Sequence, residues 1–128
     1  MTRKIFSTNS GFEKTAGYSR AVVQDNWCFV SGTTGYDYTT MFMPPDIQSQ
    51  TQNCIKTIRQ TLKKAGFSLS DVVRANYYVT IHSDAELAFP VLGKAFASIR
   101  PAATMIVCGL IRPEMLIEIE VTAFKSTT

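Results

Sequence analysis

The sequence predicts an α+β fold on a single domain, and three observations lead there. Apolar residues recur at helical spacing after Pro45 and again after Ser83. Several other stretches alternate at the two-residue period of half-buried strands. The length of 128 residues suits one core. Two helices placed after a hairpin and before a terminal pair of strands give the order βββαβαββ, a mixed sheet with both helices on one face.

Each element has its own reason. Lys4 to Ser7 can form a short strand, and Ala21 to Gln24 and Trp27 to Thr33 form a hairpin across the turn-forming pair Asp25-Asn26. Gly35 to Pro45 has no apolar period and reads as a loop. From Asp46 onward Ile47, Thr51, Cys54, Ile55, Ile58, Leu62 and Ala65 follow steps of three and four, and Gly66 stands where a helix stop is expected. Val73, Ala75, Tyr77, Val79 and Ile81 alternate with polar or larger residues as in a strand with one buried face. Ser83 is the expected N-cap of a second helix to about Ile99, with Phe89, Leu92, Phe96 and Ile99 inward. Pro90 within it predicts a kink or two short helices meeting near Phe89. Met105 to Ile111 suits a buried strand, and Leu116 to Phe124 alternates again.

A sheet with helices on one side must wet its second face or bury it against a partner. Trp27, Phe29, Tyr78 and Met105 are bulky for a water-facing surface, and a homo-oligomer would cover them, although scattered exposed hydrophobes are ordinary.

Composition excludes several classes. The net charge of +3 comes from 13 basic and 10 acidic residues spread along the chain, too weak a bias to imply nucleic acid. The helical spacing of Lys56, Arg59, Lys63 and Lys64 puts most of them on one helix face, which is the ordinary condition of a solvated face. No apolar stretch reaches the ~18 residues of a membrane span, and Met1 to Ser10 is polar rather than a leader, so a cytoplasmic location is expected. Cys28, Cys54 and Cys108 are odd in number without a CxxC pair, and His82 is the single histidine. The three cysteines read as buried small hydrophobes, and no metal or other cofactor is expected.

Few residues can carry chemistry. Glu118 and Glu120 lie two apart in a β-branched strand and so share a face. Either they line the wet or salt-bridged side of an edge strand, or one sits in a cleft with a raised pKa as general acid or base. Ser31-Gly32 ends a strand where glycine permits close approach of a ligand to the backbone. Gly17-Tyr18-Ser19 and Arg100-Pro101 are turn segments that are more often structural.

Together these segments match a family. Gly17-Tyr18-Ser19-Arg20-Ala21-Val22-Val23, Phe29-Val30-Ser31-Gly32, Gln50-Thr51, Ala65-Gly66-Phe67-Ser68 with Asp71-Val72-Val73, Arg100-Pro101-Ala102-Ala103-Thr104 and Ile117-Glu118-Ile119-Glu120 resemble, in order and spacing, the YjgF/YER057c/Rid family, also called the L-PSP endoribonuclease family. The resemblance implies a chorismate-mutase-like fold and a homotrimer with three intersubunit clefts. In deaminase members these clefts hydrolyse enamine and imine acids, such as aminoacrylate, to a keto acid and ammonia without a cofactor.

By the same resemblance Glu118 is the catalytic residue, and Tyr18, Ser31, Gly32, Arg100, Ala103, Thr104 and Glu120 are expected around the small-molecule ligand. The family's carboxylate-gripping arginine is missing, because Pro101-Ala102-Ala103-Thr104 stands where deaminase members read Pro-Ala-Arg-Ser or Pro-Ala-Arg-Thr. A methyl group cannot replace a bidentate clamp. Arg100 lies about 10 Å upstream if extended and on the opposite strand face by parity, a poor substitute. Arg20 and Arg112 are other stand-ins. Pro90 falls near a polar cleft position of the family. The expected function is hydrolytic deamination of an imine or enamine unlike aminoacrylate. The alternatives are a non-catalytic metabolite-binding or holdase-like trimer and, last, an endoribonuclease, since a lone histidine and no basic groove speak against it.

Overall fold

The computed structural model describes residues 3–126; Met1 and Thr2 of the polar N-terminal stretch, and Thr127 and Thr128, lie outside them. The chain forms β1 (Arg3–Phe6), α1 (Gly11–Ala16), β2 (Ala21–Gln24), β3 (Trp27–Thr34), α2 (Ile47–Lys64), β4 (Val72–Val79), α3 (His82–Phe96), β5 (Ala102–Val107) and β6 (Ile117–Phe124), with a 3-10 turn at Leu69–Asp71. The fold is mixed α+β, with six strands in the order β1-β2-β3-β6-β4-β5. Only β4 and β5 are parallel, and α3 supplies the crossover such a pair needs.

Alternation decides which face is core. Ile117, Ile119, Val121 and Ala123 of β6 are buried with Cys54, Ile58 and Leu62 of α2 and Ala88, Leu92 and Phe96 of α3 in one cluster. Asp46 caps α2 by accepting from the Ser49 amide at 2.8 Å, and Gly66, at φ 86°, turns the chain away beyond its end. On the opposite face Trp27, Phe29 and Phe124 remain exposed, with the Trp27 ring 4.8 Å from that of Phe124.

Several expectations need correction. A short helix, α1, precedes the hairpin; its signal is Ser10-Gly11-Phe12-Glu13, where the Glu13 amide donates to Ser10 Oγ at 3.3 Å. α3 is one continuous helix through Pro90. Glu86 and Pro90 are both exposed, so the carbonyl that loses its partner can be hydrated. Ser83 lies inside the first turn rather than at the cap, and Phe89 is 52% exposed, not inward. β5 starts at Ala102 and ends at Val107, because pairing with Arg74 to Val79 sets its extent. Met105 pairs with Tyr77 and packs against the core cluster, so it is not on the open face. Cys28 and Cys54 are buried, whereas Cys108 is only partly so.

One buried polar side chain ties the loops to the sheet. Gln50 is fully buried on α2. Its amide nitrogen donates to the Pro44 carbonyl at 2.8 Å and the Glu114 carbonyl at 2.9 Å, and its oxygen accepts from the Leu116 amide at 2.9 Å. Gly35 packs so closely on it that a Cβ there would lie 2.5 Å from Gln50 Cβ. The segment entering β6 is therefore held by a side chain with every strong partner in place. Gln50→Glu turns a donor facing two carbonyls into an acceptor, and should cost about 2–4 kcal/mol in urea denaturation.

Candidate functional site

The site begins with a mismatch between strands. Val30 pairs with Val121 but Thr33 with Ile119, so three steps on β3 oppose two on β6 and the chain bulges at Ser31-Gly32. Side chains hold the bulge: Ser31 Oγ donates to the Ser19 carbonyl at 2.6 Å, and Thr33 Oγ1 to the Ser31 carbonyl at 2.8 Å. The Ser31 amide donates to the Arg20 carbonyl at 3.0 Å, so it is occupied rather than free for a ligand. A Cβ on Gly32 would fall 1.9 Å from Glu118 Oε2. Glycine is required here because the carboxylate uses the space.

Glu118 is half-buried, and its carboxylate accepts no hydrogen bond among the described residues. Burial pushes its carboxyl above the usual 4.5; the Arg20 charge opposes that shift and Glu120 adds to it. Arg20 is 1% exposed. One guanidinium nitrogen, Nη2, donates to the Gly32 carbonyl at 2.6 Å, while Nε and Nη1 are buried without a partner. Its carbon lies 5.8 Å from the Tyr18 ring centre and 5.3 Å from that of Tyr38.

Tyr18 is set by α1. Gly17 takes φ 74° at the end of that helix, and the Tyr18 amide donates to the Glu13 carbonyl at 3.1 Å. Burial would raise the Glu13 carboxyl, but hydrogen bonds from Thr8 and Ser7 hold it below its usual range. Tyr38 anchors the Arg20 stack by accepting from the Thr34 amide at 3.0 Å. Arg20 is central here rather than a remote stand-in. Its place inside a hairpin strand's entry gave no signal of burial, and Tyr38 lay in a loop without any pattern.

Glu118 and Glu120 do share the face opposite the core, but β6 is flanked by β3 and β4, so the edge-strand reading fails. Glu120 accepts a short hydrogen bond from the Tyr78 hydroxyl. That bond pushes the phenol up to about 12. Two carboxylates that parity could not separate therefore differ, one free and one tied.

The other expected residues are elsewhere. Ala103 pairs with Ala75 on β4, and Glu118 with Tyr78. Three residues along and two strands across make their separation about 14 Å in one chain. Arg100, Ala103 and Thr104 line a groove between α3 and β5. The parity argument against Arg100 does not hold, because it precedes the strand at φ 54° and shares that groove with Ala103. A larger polar cavity of about 880 Å³, lined by Asp37, Tyr38, Asn53 and Lys56 among others, lies over α2. Arg112 stacks on Phe12, 5.3 Å from the ring centre. No cluster of histidine, cysteine and acidic side chains suited to a metal occurs among the described residues, and no helix among them is long and apolar enough to cross a membrane.

This mixed α+β architecture is that of the YjgF-type proteins. The endoribonuclease L-PSP family model matches residues 8–125, and the chain belongs to that family. It is similar to a solved YjgF/YER057c/UK114 family member from Mycobacterium tuberculosis, with a TM-score of 0.89 and 38% identity over 97% of this chain and 100% of that one. RidA from an Antarctic Psychrobacter gives a TM-score of 0.80 and 28% identity over 84% and 88%. A RutC family protein from Pyrococcus horikoshii is 27% identical over 96% of this chain and 98% of its own length.

Two outcomes follow from the geometry. Gly32→Ala should fold, because the clash is with a movable carboxylate, yet displace Glu118 and abolish its function; a crystal structure of the variant would show the new rotamer. A raised carboxyl pKa means the folded state favours the protonated form, so stability falls as pH rises from about 4.5 through the raised value. Glu118→Gln should lose this part of the pH dependence and melt no lower than wild type at pH 7, as read by calorimetry across pH.

Proposed function

We propose that this protein hydrolyses an enamine or imine metabolite to a carbonyl compound and ammonia, in a cleft completed by a neighbouring copy in a homotrimer. The observation that carries this reading is the half-buried Glu118 carboxyl set against the Gly32 backbone without a hydrogen-bond partner, its pKa raised by burial. Water attacks the imine carbon while Glu118 takes its proton, and a carbon–oxygen bond forms as the C=N electron pair moves to nitrogen. Glu118 returns the proton to that nitrogen to give a neutral carbinolamine; it then takes the hydroxyl proton as the carbonyl forms and delivers it to the nitrogen as the carbon–nitrogen bond breaks, so that ammonia leaves. Each turnover restores the carboxylate and needs no cofactor.

Arg20 fits this chemistry as an electrostatic neighbour whose charge opposes the rise that burial imposes on the Glu118 carboxyl. Tyr18 walls the space beside it. Glu120, bonded to Tyr78, acts in structure. The exposed Trp27, Phe29 and Phe124 on the open sheet face support the trimer, since contact between copies would remove them from water. The 14 Å between Ala103 and Glu118 supports it too, because only a second copy can bring the two regions together.

One observation favours a non-catalytic metabolite-binding trimer as the second reading. The Ser31 amide is already paired, so one donor expected to hold substrate is not available. Turnover separates the readings. Imines generated in place by an amino-acid oxidase should lose ammonia faster with wild-type protein, and Glu118→Gln should lower the rate by about 10²–10⁴-fold while Glu120→Gln keeps most of it. Saturable binding without acceleration would overturn the hydrolase in favour of the binder.

Aminoacrylate should be cleared poorly, by tens to thousands of fold against a clamp-bearing enzyme, because Ala103 offers no charged partner to its carboxylate. Sedimentation at micromolar concentration should give a trimer. A monomer there would remove the intersubunit cleft from the account.

A further inference from the structure

The polar cavity over α2, about 880 Å³ in volume, shares no lining residue with the groove at Ala103, and Tyr18, Gly32 and Glu118 are not on its wall. Its floor is one flank of α2, where Ser49, Asn53, Lys56, Gln60 and Lys64 follow at steps of four and three. The opposite wall comes from the segment after β3 and from Thr8 and Asn9. The structure thereby divides the four basic residues of α2. Lys56 and Lys64 line the cavity, whereas Arg59 and Lys63 do not.

The wall is fixed while groups within it are free. Asn53 donates to the Gly35 carbonyl at 2.9 Å, and Thr61 Oγ1 donates to the Thr57 carbonyl at 2.8 Å. The Tyr38 hydroxyl accepts from the Thr34 amide at 3.0 Å. By contrast, the side chains of Thr39, Lys56, Thr57, Gln60 and Lys64 make no hydrogen bond or ion pair among the described residues.

Phe42 is the unexpected member of the lining. Its residue is 62% exposed, yet the turn that carries it is closed. The Asp37 amide donates to the Phe42 carbonyl at 2.8 Å, and the Met41 amide to the Asp37 carbonyl at 2.6 Å. Asp37 Oδ1 accepts from the Thr39 amide at 2.9 Å. Within this turn Met41 takes φ 60°, a conformation unfavourable for a residue with a Cβ. A strained turn that leaves an aromatic ring in water gains little from burial. Its effect is to set a flat apolar face beside a polar cavity.

The chemistry of the lining selects a ligand. Hydroxyl and amide side chains both donate and accept, as the hydroxyls of a carbohydrate do. An aromatic face beside them can cover the apolar C–H side of a sugar ring. Two ammonium groups against one carboxylate, Asp37, leave a surplus positive charge that calls for an anionic group on the same molecule, and an ammonium serves phosphate as a point charge. Lys56 and Lys64 are about 12 Å apart along the helix, a distance their flexible stems can largely close over Gln60.

We propose that this cavity is a second ligand site, separate from the Glu118 region, and that it binds a sugar phosphate. The phosphate lies over Gln60 between Lys56 and Lys64, the hydroxyls face Thr39 and Asp37, and the sugar ring lies against Phe42. The site does not depend on the hydrolase reading.

Calorimetric titration of the full chain with glucose 6-phosphate, glucose, inorganic phosphate and AMP, at one ionic strength, tests this assignment. Glucose 6-phosphate should bind at least about tenfold more tightly than each of the other three. Lys56→Gln and Lys64→Gln should each weaken it by about tenfold, and Phe42→Ala should weaken it as well. All three side chains are exposed, so the variants should fold as wild type does. Lys63→Gln should bind as wild type because its charge lies off the cavity, and Glu118→Gln because its carboxyl belongs to another region. No binding of glucose 6-phosphate would overturn the proposal, as would inorganic phosphate binding equally well, which would leave only a bare anion patch. Tighter binding of AMP would make the base the recognised group and overturn it too. The same holds if Lys63→Gln weakens binding as much as Lys64→Gln, or if Glu118→Gln abolishes it. A Phe42→Ala chain that changes oligomeric state and keeps its affinity would show that the exposed ring serves a second copy, and would also sink the assignment.

Discussion

Burial of Ile117, Ile119, Val121 and Ala123 against the helices fixes the direction of every other side chain on β6, because successive residues of a strand point to opposite faces. Glu118 and Glu120 must then project from the middle of a six-stranded sheet. Between β3 and β4, each carboxylate has a neighbouring strand on both sides. What can be adjusted is the neighbour. Tyr78 on β4 supplies a hydroxyl to Glu120, while β3 bulges opposite and presents Gly32 to Glu118, giving room instead of a hydrogen bond. The difference between the two glutamates thus comes from the strands beside them.

The bulge carries a cost that the fold meets with Arg20. A buried guanidinium with two nitrogens unpaired is unfavourable. It is kept in place by the Gly32 carbonyl and by two tyrosine rings. Its charge also works against the effect of burial on Glu118, whose carboxyl is nonetheless raised. Gln50 contributes at longer range by holding the segment that enters β6. Without that register the alternation would be one residue adrift, and the glutamates would point into the core.

Most of the fold was legible because its elements have strong periods. The α2 pattern and the β6 alternation needed no context, and the residues read as inward on α2 are buried apart from the terminal Ala65. Where sequence reasoning failed, a tertiary term had decided. Pro90 did not divide α3 because the lost bond faces water. Met105 was placed on the open face until the parallel pairing with Tyr77 reversed it. At the site, the resemblance singled out Glu118 over Glu120, but the close approach of Gly32 to Glu118 and the Tyr78 hydrogen bond to Glu120 depend on pairings that are not local. Arg100 was discounted by a parity rule that applies to strands, and it does not lie in one.

The candidate site is built from two regions with different chemistry. Around Glu118 the groups are polar and tightly determined: a bulge, a buried cation and two tyrosines leave little latitude for substitution. Around Ala103 the lining is apolar and roomy, with glycine and alanine where larger side chains would fit. Proton transfer in imine hydrolysis is the same for every substrate, whereas recognition of the rest of the molecule is not. A chain that changes its substrate can therefore keep the first region and alter the second. The roughly 14 Å between the two regions in one chain means that they can vary separately.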